Sequence, residues 1–481
     1  MARVAKAVSA AAAPRIEVRE VRFYERPVRL RIPFRFGVAT LREAPQGFIH
    51  VRVAREDGAE AWGMGAELMV PKWFDKNTDL TNEQNFQQLR DSLALAREAY
   101  LANGLGTAWR HFAATYRAQN DRCAARGLNG LIASFGPAMI DRAVLDALSR
   151  MEGVSFEEAI RSNLPGIVPA DVADDLADFD MGGFLARLRQ RRSIHARHTI
   201  GMLDPLTAAD QEGRRLDDGL PETLEEAIAA YGLRYFKIKV GGDRAADLDR
   251  LIRIAEVLDR LDGGYRATLD GNEQFDDAEG MAALWSDMTA ETRLRRLVHS
   301  ILFVEQPINR KLALERDIGV LARCVPVEID ESDDSLDAFP RARTLGYAGV
   351  SSKLCKGFYK SLINAARCAR WNREGGRFFM SGEDLTTQAG LAVQQDLALV
   401  CLLGLDHVER NGHHYVDGFA GAPEDEAARF AAGHPHLYRL QGGRIRLSIA
   451  GGVIDTSDLG GTGFASNAEP DWSAMSTYSI S

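Results

Sequence analysis

The spacing of hydrophobic positions changes along the chain, and each spacing predicts a different kind of structure. From residue 15 apolar and polar side chains alternate around turn sequences such as REDGAE, which is typical of a small antiparallel sheet. Between residues 83 and 160 the apolar positions recur at helical spacing, as in NFQQLRDSLALAREAYLANG. Together these stretches predict an α+β domain over residues 15–162.

From residue 195 to residue 415 short apolar segments alternate with helical ones. The predicted strands are RHTIGML, YFKIKV, YRATLD, ILFVEQ, VPVEID, AGVSSKL, RFFMSG and GLDHVE. Strands separated by helices at a repeat of roughly 30 residues indicate a (β/α) barrel of the α/β class. A doubly wound sheet is the alternative that this pattern leaves open.

The remaining segments are predicted to be peripheral. Residues 1–14 are expected to be a disordered tail, and residues 163–194 a linker or insertion. Residues 416–465 contain LYRLQGGRIRLSIAGGVIDT, a predicted strand pair that returns to the first domain. Residues 466–481 are expected to form a loose tail.

Composition narrows the functional classes. The chain has 481 residues, 46% of them hydrophobic, and a formal net charge of −9, which gives no electrostatic reason to bind nucleic acid. The most apolar late stretch, residues 390–405, contains Gln394, Gln395 and Asp396, so no membrane contact is predicted. The 5 cysteines are scattered without a CxxC pair, which favours a reducing, cytoplasmic location.

Two lysines interrupt the predicted strand RYFKIKVGG. Lys237 and Lys239 are two residues apart, so they lie on the same face of the strand. A lysine acts as a base only when its pKa falls towards neutrality, and a like charge nearby lowers that pKa. We therefore interpret Lys237 as the group that lowers the pKa of Lys239.

Carboxylates and a further lysine end the next predicted strands. Asp270, Glu305 and Asp330 end three consecutive strands, and Lys353 ends the fourth. In a barrel the carboxyl ends of the strands form the functional face, so these groups converge at one mouth. Three carboxylates without histidine or cysteine make an all-oxygen site, which suits Mg²⁺ rather than zinc.

The ordered motifs KIK, DGN, VEQP, DES and SSKL resemble the enolase superfamily, in particular its muconate-lactonizing-enzyme-like subgroup. The resemblance extends over residues 16–465 and includes IPFRFGVAT, which is similar to the specificity loop of the family. It implies a (β/α)7β modified TIM barrel with an N-terminal α+β capping domain, and a homo-oligomer. It also implies abstraction of the proton α to a carboxylate, with Mg²⁺ stabilising an enediolate.

The resemblance further implies a role for each matching residue. Lys239 and Lys353 would be the acid/base pair, and Lys237 would also hold the substrate carboxylate. The metal ligands would be Asp270, Glu305 and Asp330, and their hydrogen-bond partners Asn272 and Glu331.

The reaction and the substrate remain open at this level. Two opposed bases favour a racemase or epimerase, while a cycloisomerase or a syn β-eliminating dehydratase would need one base; a non-catalytic metabolite-binding relative is the remote alternative. The eighth strand lacks the Asp-x-Asp with which dipeptide epimerases hold an amine. The long segments 62–83 and 163–194 can remodel the lid. The residues expected to contact a small carboxylate substrate are Phe34, Arg35, Phe36, Trp73, Asp406 and Glu409, whereas NGHHY is expected to be an exposed loop.

Overall fold

An N-terminal sheet with three long helices forms the first part of the chain, which the computed structural model describes over residues 13–37, 39–211, 213 and 215–478. Its strands are β1 (Ile16–Phe36), β2 (Ala39–Arg55) and β3 (Glu60–Leu68), which pair antiparallel in that order. Its helices are α1 (Asn82–Ala102), α2 (Ala108–Ala124) and α3 (Gly130–Glu152). This α+β unit is the predicted capping domain.

Local sequence signals explain where these helices begin and end. Thr81 and Gln84 form a capping box at the start of α1, and Asn129 caps α3. Helix α3 ends at Gly153, which has the left-handed backbone conformation that glycine adopts without strain. The helices then bury their apolar faces against the sheet.

The second part is a closed barrel of eight parallel strands. They are β4 (Ser193–Ile200), β5 (Tyr235–Lys239), β6 (Arg266–Asp270), β7 (Ile301–Glu305), β8 (Val327–Ile329), β9 (Gly349–Ser352), β10 (Phe379–Gly382) and β11 (His407–Arg410). Each strand pairs with the next, and β11 pairs back to β4. This closure confirms the barrel and excludes the doubly wound sheet; each predicted strand is present.

Helices surround the barrel and connect its strands. They are α4 (Phe156–Arg161), α5 (Met181–Arg187), α6 (Leu224–Tyr231), α7 (Arg244–Leu258), α8 (Ala278–Ala290), α9 (Arg295–Ser300), α10 (Arg310–Ala313), α11 (Gly319–Ala322), α12 (Ala338–Thr344), α13 (Phe358–Arg373), α14 (Leu391–Leu402), α15 (Gly412–Tyr415) and α16 (Glu424–Gly433). Every residue of α14 is buried between the domains. Within the described ranges, no helix combines the length and apolarity needed to cross a membrane.

The C-terminal segment contacts both domains. Strands β12 (Tyr438–Gln441) and β13 (Arg444–Leu447) form a hairpin, and β14 (Val453–Asp455) pairs antiparallel with β4 of the barrel. The predicted return to the capping domain is made outside these strands: Phe464 N–H donates to Asp146 of α3 at 2.6 Å, and Glu426 forms two hydrogen bonds of 2.8 and 2.6 Å with buried Arg26. Such a paired, bidentate geometry compensates the burial of both charges.

The two predicted tails need one correction. Strand β15 (Ser476–Tyr478) pairs with residues 23–25 of β1, so the expected loose tail 466–481 ends in a strand that extends the first sheet. The apolar ring of Tyr478 also packs edge-on against Phe23. Residues 479–481 and residues 1–12 of the predicted N-terminal tail lie outside the described residues.

We expect Gly63→Ala to lower the free energy of unfolding by about 3 kcal/mol, at the upper end of overpacking costs. Helix α3 crosses β3 so closely that a Cβ at Gly63 would lie 2.1 Å from the carbonyl oxygen of Ala143. Gly264→Ala is the matched control, because a Cβ there meets no atom within 4 Å. Urea denaturation measures both; an unchanged midpoint for Gly63→Ala would contradict the close packing.

Candidate active site

The carboxyl ends of the barrel strands open into a cavity that the capping domain covers. Strand β1 and the segment after β3 supply the cover, and the barrel supplies the polar floor. The lining residues are Phe34, Phe36, Val70, Trp73, Lys237, Lys239, Asp270, Asn272, Asp330, Lys353, Asp384, Leu385, Thr386, Glu409 and Asn411. The cavity is therefore charged on its barrel side and apolar on its cap side.

Lys239 and Lys353 lie on opposite sides of this cavity. Lys239 ends β5 and Lys353 directly follows β9, and these strands are four positions apart in a closed ring of eight. Each ammonium pairs with a carboxylate of the neighbouring strand: Lys239 Nζ lies 2.5 Å from Asp270 Oδ2, and Lys353 Nζ lies 2.5 Å from Asp330 Oδ2. A ligand between them would face an amine on either side.

Lys237 lies below the two opposed lysines at the centre of a carboxylate cluster. Its Nζ is 2.9 Å from Asp270, 2.7 Å from Glu305, 2.7 Å from Glu383 and 3.1 Å from Glu409. Burial acts to lower the pKa of Lys237, but the carboxylates outweigh it, so this pKa lies well above its ordinary value. Lys237 is a fixed cation at neutral pH.

This arrangement changes the interpretation of the lysine pair. Asp270 Oδ2 contacts both Lys237 and Lys239, so a carboxylate compensates the repulsion between the two ammonium groups. On the other side, burial lowers the pKa of Lys353, but Asp330 outweighs this and raises the pKa above its ordinary value. The predicted lowering of a lysine pKa by like charge stays a prediction.

Asp270, Glu305 and Asp330, the predicted metal ligands, are buried at the ends of β6 and β7 and directly after β8. Oε2 of Glu305 lies 2.7 Å from Lys237 Nζ without hydrogen-bond geometry, so this buried carboxylate oxygen pairs with the ammonium and accepts no hydrogen bond. The donors are all oxygens, so the residues fit Mg²⁺. Their assignment as ligands stays a prediction.

A second carboxylate group lies deeper in the barrel. Oxygens of Glu305, Glu328 and Glu383 are all within 4.8 Å of one another, and Glu383 pairs with both Arg197 and Lys237. Strand register explains it: Glu305 pairs with Glu328, which lies two residues before Asp330. None of Glu305, Glu328 and Glu383 lines the cavity, so this group lies beneath its floor.

Asn272 and Glu331, the predicted partners of the metal ligands, meet beside the cavity. Asn272 Nδ2 donates to Glu331 Oε1 at 3.4 Å, and Lys76 from the capping domain donates to the Asn272 carbonyl at 2.7 Å. Asn272 and Glu273 both have a left-handed backbone, with φ of 42° and 67°. Strain of this kind persists only where surrounding contacts fix it, and Lys76 also pairs with Glu273 at 2.5 Å.

Arg310 fastens the cap segment to the barrel. Its guanidinium donates to the carbonyls of Trp73 at 2.9 Å and Phe74 at 3.0 Å, and pairs with Glu273 at 2.8 Å. The Trp73 ring centroid in turn lies 4.3 Å from Lys353 Nζ, a cation–π contact. The clamp formed by Arg310, Glu273 and Lys76 therefore holds the lid over one of the opposed lysines.

The predicted substrate contacts divide into two groups. Phe34, Phe36, Trp73 and Glu409 line the cavity as expected. Arg35 does not, because side chains alternate along β1 and its own is exposed on the outer face.

Asp406 is likewise not brought into the cavity. It precedes β11 at the amino end of the barrel, where its exposed carboxylate pairs with Arg191. The functional groups of a barrel lie at the opposite end of its strands, which excludes Asp406 from the site.

The prediction of exposed histidines in NGHHY is wrong. His414 is buried, and His413 Nε2 lies 3.1 Å from Nδ1 of buried His198. Burial lowers the pKa of all three rings, so they are neutral at pH 7. The motif forms the short helix α15 against β1 and supports the cover of the cavity.

Several lining residues were missed at the sequence level. Asp384, Leu385 and Thr386 follow β10, and Asn411 follows β11. The polar sequence GED directly after the seventh predicted strand was an available signal for Asp384. No comparable signal marked Asn411, because its role depends on hydrogen bonds that sequence does not reveal.

Comparison with known proteins identifies related folds. Residues 219–435 match a family described as enolase C-terminal domain-like. A mandelate racemase/muconate lactonizing protein from Herpetosiphon aurantiacus is 18% identical and superposes with a TM-score of 0.59 over 94% of this chain and 99% of its own. A dipeptide epimerase from Cytophaga hutchinsonii, complexed with Mg and the dipeptide D-Ala-L-Val, is 14% identical, with a TM-score of 0.59 over 97% and 100%.

A muconate lactonizing enzyme from Pseudomonas fluorescens, complexed with muconolactone, is 15% identical and gives a TM-score of 0.58 over 95% of this chain and 98% of its own. Identities this low establish the shared fold. No curated protein matches the chain.

We expect Arg310→Leu to release the lid segment around Trp73 and Phe74. Removing one partner of a buried ion pair costs about 3 kcal/mol, because Glu273 would remain buried without its arginine. Hydrogen exchange measured by mass spectrometry should then speed up in peptides covering residues 70–77. Arg316→Leu is the control, since Arg316 is exposed; equal exchange in both variants would contradict the clamp.

Proposed function

We propose that this chain, whose residues 219–435 match the enolase C-terminal domain-like family and whose fold is shared with the mandelate racemase/muconate lactonizing protein, is an enzyme that abstracts the proton α to a substrate carboxylate. The observation that carries the proposal is the position of Lys239 and Lys353 on strands four positions apart in the ring of eight. An α-carbon between them can lose a proton on one face and regain it on the other. Racemisation or epimerisation is the reaction that uses both lysines.

The three lysines and the aromatic cover have different roles in the proposed reaction. Lys239 takes the α-proton at its Nζ and Lys353 returns one from the opposite side, or the reverse for the other enantiomer. Lys237 lines the cavity below them, where it would hold the substrate carboxylate once a bound cation offsets the four carboxylates around it. The aromatic cover of Phe34, Phe36 and Trp73 excludes water, which strengthens every electrostatic interaction inside.

Asp270, Glu305 and Asp330 are the residues that would hold Mg²⁺. When bound there, Mg²⁺ would offset the negative charge of these carboxylates, which face the lysines. It would also stabilise negative charge on the substrate carboxylate. The mouth position is favoured over the deep group because Asp270 and Asp330 line the cavity.

One contact favours a second candidate reaction at the same site. Lys353 lies under the Trp73 ring at 4.3 Å, a contact that stabilises an ammonium ion rather than a neutral amine. A cycloisomerase or a syn β-eliminating dehydratase uses one lysine as base and the other as a cation. In that case Lys239 is the base and Lys353 the cation.

Exchange of the α-proton with solvent deuterium tests both candidates. With Mg²⁺ and a panel of small carboxylic acids in deuterated buffer, we expect Lys239→Ala to reduce exchange by about 10²–10⁴-fold, the usual contribution of a general base. For a racemase, Lys353→Ala should suppress exchange of the opposite enantiomer to a similar extent; for a one-base reaction it should spare exchange and reduce turnover.

Lys311→Ala is the matched control, since the side chain of Lys311 is exposed and does not line the cavity. Exchange that survives unchanged in both Lys239→Ala and Lys353→Ala would refute proton transfer by these lysines.

Magnesium titration tests the proposed ligands. We expect Asp270→Asn to weaken Mg²⁺ binding by well over the roughly 10–100-fold typical of losing an outer partner, because a direct ligand is removed. Glu328→Gln should leave binding within a few-fold of the wild type. Isothermal titration calorimetry on folded variants measures both, and the reverse ranking would assign the cation to the deep group of Glu305, Glu328 and Glu383.

A further inference from the structure

We propose that Arg197 is a positioning residue for the substrate carboxylate: it holds Glu383 and so keeps the charge of Lys237 available to the substrate. This inference rests on the proposed function, in which Lys237 holds that carboxylate. It goes further by assigning a role to a residue within β4 that does not line the cavity and belongs to none of the motifs at the strand ends.

Glu383 is shared between two cations. It directly follows β10 and is 1% exposed, and its Oε2 accepts a hydrogen bond from Lys237 Nζ at 2.7 Å. Its Oε1 accepts from Nη2 of Arg197, which is itself fully buried. Each oxygen of Glu383 therefore has its own cation, and only one of the two oxygens is bonded to Lys237.

The guanidinium of Arg197 is fixed by further contacts. Its Nη1 donates to Nδ1 of His407 at 2.7 Å, and its Nη2 also donates to the carbonyl of Gly382 at 3.2 Å. Burial lowers the pKa of His407 well below its ordinary value, so the ring is neutral and its Nδ1 can accept. Cζ of Arg197 also lies 5.5 Å from the centroid of the Phe303 ring. These contacts hold Arg197 beside Glu383.

The pairing matters because Lys237 is surrounded by carboxylates. Four of them contact its Nζ, among them Glu383. Without Arg197, Oε1 of Glu383 would lose its cation, and the full charge of this carboxylate would act on Lys237. Oxygens of Glu383 and Glu305 lie within 4.8 Å of each other, so the freed charge would also act on a proposed ligand of Mg²⁺.

Loss of Arg197 should therefore act in opposite directions on an anion and on a cation. A more negative floor of the cavity repels the substrate carboxylate, and it attracts Mg²⁺. Partial unfolding would lower the concentration of active protein, but it would not strengthen Mg²⁺ binding. The two opposite effects distinguish positioning from a general contribution to stability.

Magnesium titration of Arg197→Met is the first test, since it needs no substrate. We expect isothermal titration calorimetry to show Mg²⁺ binding about tenfold tighter than in the wild type. In Arg197→Lys, which keeps a cation beside Glu383, the affinity should return to within about threefold of the wild type. Arg266→Met is the matched control, because Arg266 begins β6 and is exposed; its Mg²⁺ affinity should not change.

Exchange kinetics are the second test. With an acid from the panel that exchanges its α-proton, and with saturating Mg²⁺, we expect Arg197→Met to raise KM by about tenfold or more and to leave kcat within about threefold. Arg197→Lys should restore KM. A residue that only supports the fold would lower kcat through loss of active protein and leave KM unchanged.

A double-mutant cycle tests whether Arg197 acts through Glu383. In the Glu383→Gln background no carboxylate charge is left for Arg197 to hold, so adding Arg197→Met should change the Mg²⁺ affinity by less than about threefold. Circular dichroism and a cooperative urea transition confirm that each variant is folded. If Arg197→Met does not fold, Arg197→Gln replaces it, because its amide can donate to Glu383 while the charge is lost.

The failures of the two proposals are distinguishable. Unchanged or weaker Mg²⁺ binding in the folded neutral variant, an unchanged KM, or an equal change in the Glu383→Gln background overturns the inference and leaves proton transfer by Lys239 and Lys353 intact. Absent α-proton exchange with every acid, together with tighter Mg²⁺ binding in Arg197→Met, overturns the proposed reaction and supports the hold of Arg197 on Glu383. Absence of Mg²⁺ binding by the wild type overturns both.

Discussion

The charge of Lys237 is the constraint on which the site depends. Its ammonium touches carboxylates of Asp270, Glu305, Glu383 and Glu409, and so connects β5 with β6, β7, β11 and the residue after β10. An ion this deeply buried is tolerated only when its partners are complete. The carboxyl half of the barrel is consequently held by charge compensation, whereas its other strand positions pack as an apolar core. Replacing Lys237 by a neutral residue would leave these buried carboxylates without the cation that they share.

The second constraint is the attachment of the cap. Arg310, Glu273 and Lys76 join the lid to the residues that directly follow Asp270, where the backbone is held in a left-handed conformation. Arg310 also donates to the carbonyl of Trp73, whose ring makes the cation–π contact with Lys353. Lid position and the position of one opposed lysine are thus set by a single cluster of charges, which explains how a long segment after β3 keeps a defined geometry.

Sequence predicted the barrel and the convergence of its strand ends, because one polar residue per strand repeats with the length of a strand–helix unit. The sequence did not predict the level of each of those residues along the barrel axis. Glu305 pairs with Glu328 and not with Asp330, since strands in a barrel are staggered. It also assigned Asp406 and Arg35 to the site, although strand direction and alternation exclude them. The carboxylate that compensates the repulsion between Lys237 and Lys239 comes from another strand, so the spacing of the two lysines along the chain does not reveal it.

The site uses its two aspartates for two purposes at once. Asp270 pairs with Lys239 and Asp330 pairs with Lys353, and both aspartates are also proposed to bind the cation. A carboxylate whose charge is engaged by a divalent ion holds a neighbouring ammonium less strongly, so cation binding and the release of each lysine for proton transfer are coupled. Asp384 has no such second role, because it accepts hydrogen bonds from Thr387 and from the backbone N–H of Asn411. The charge that the cation would bring is therefore placed beside both lysines, where the proton moves.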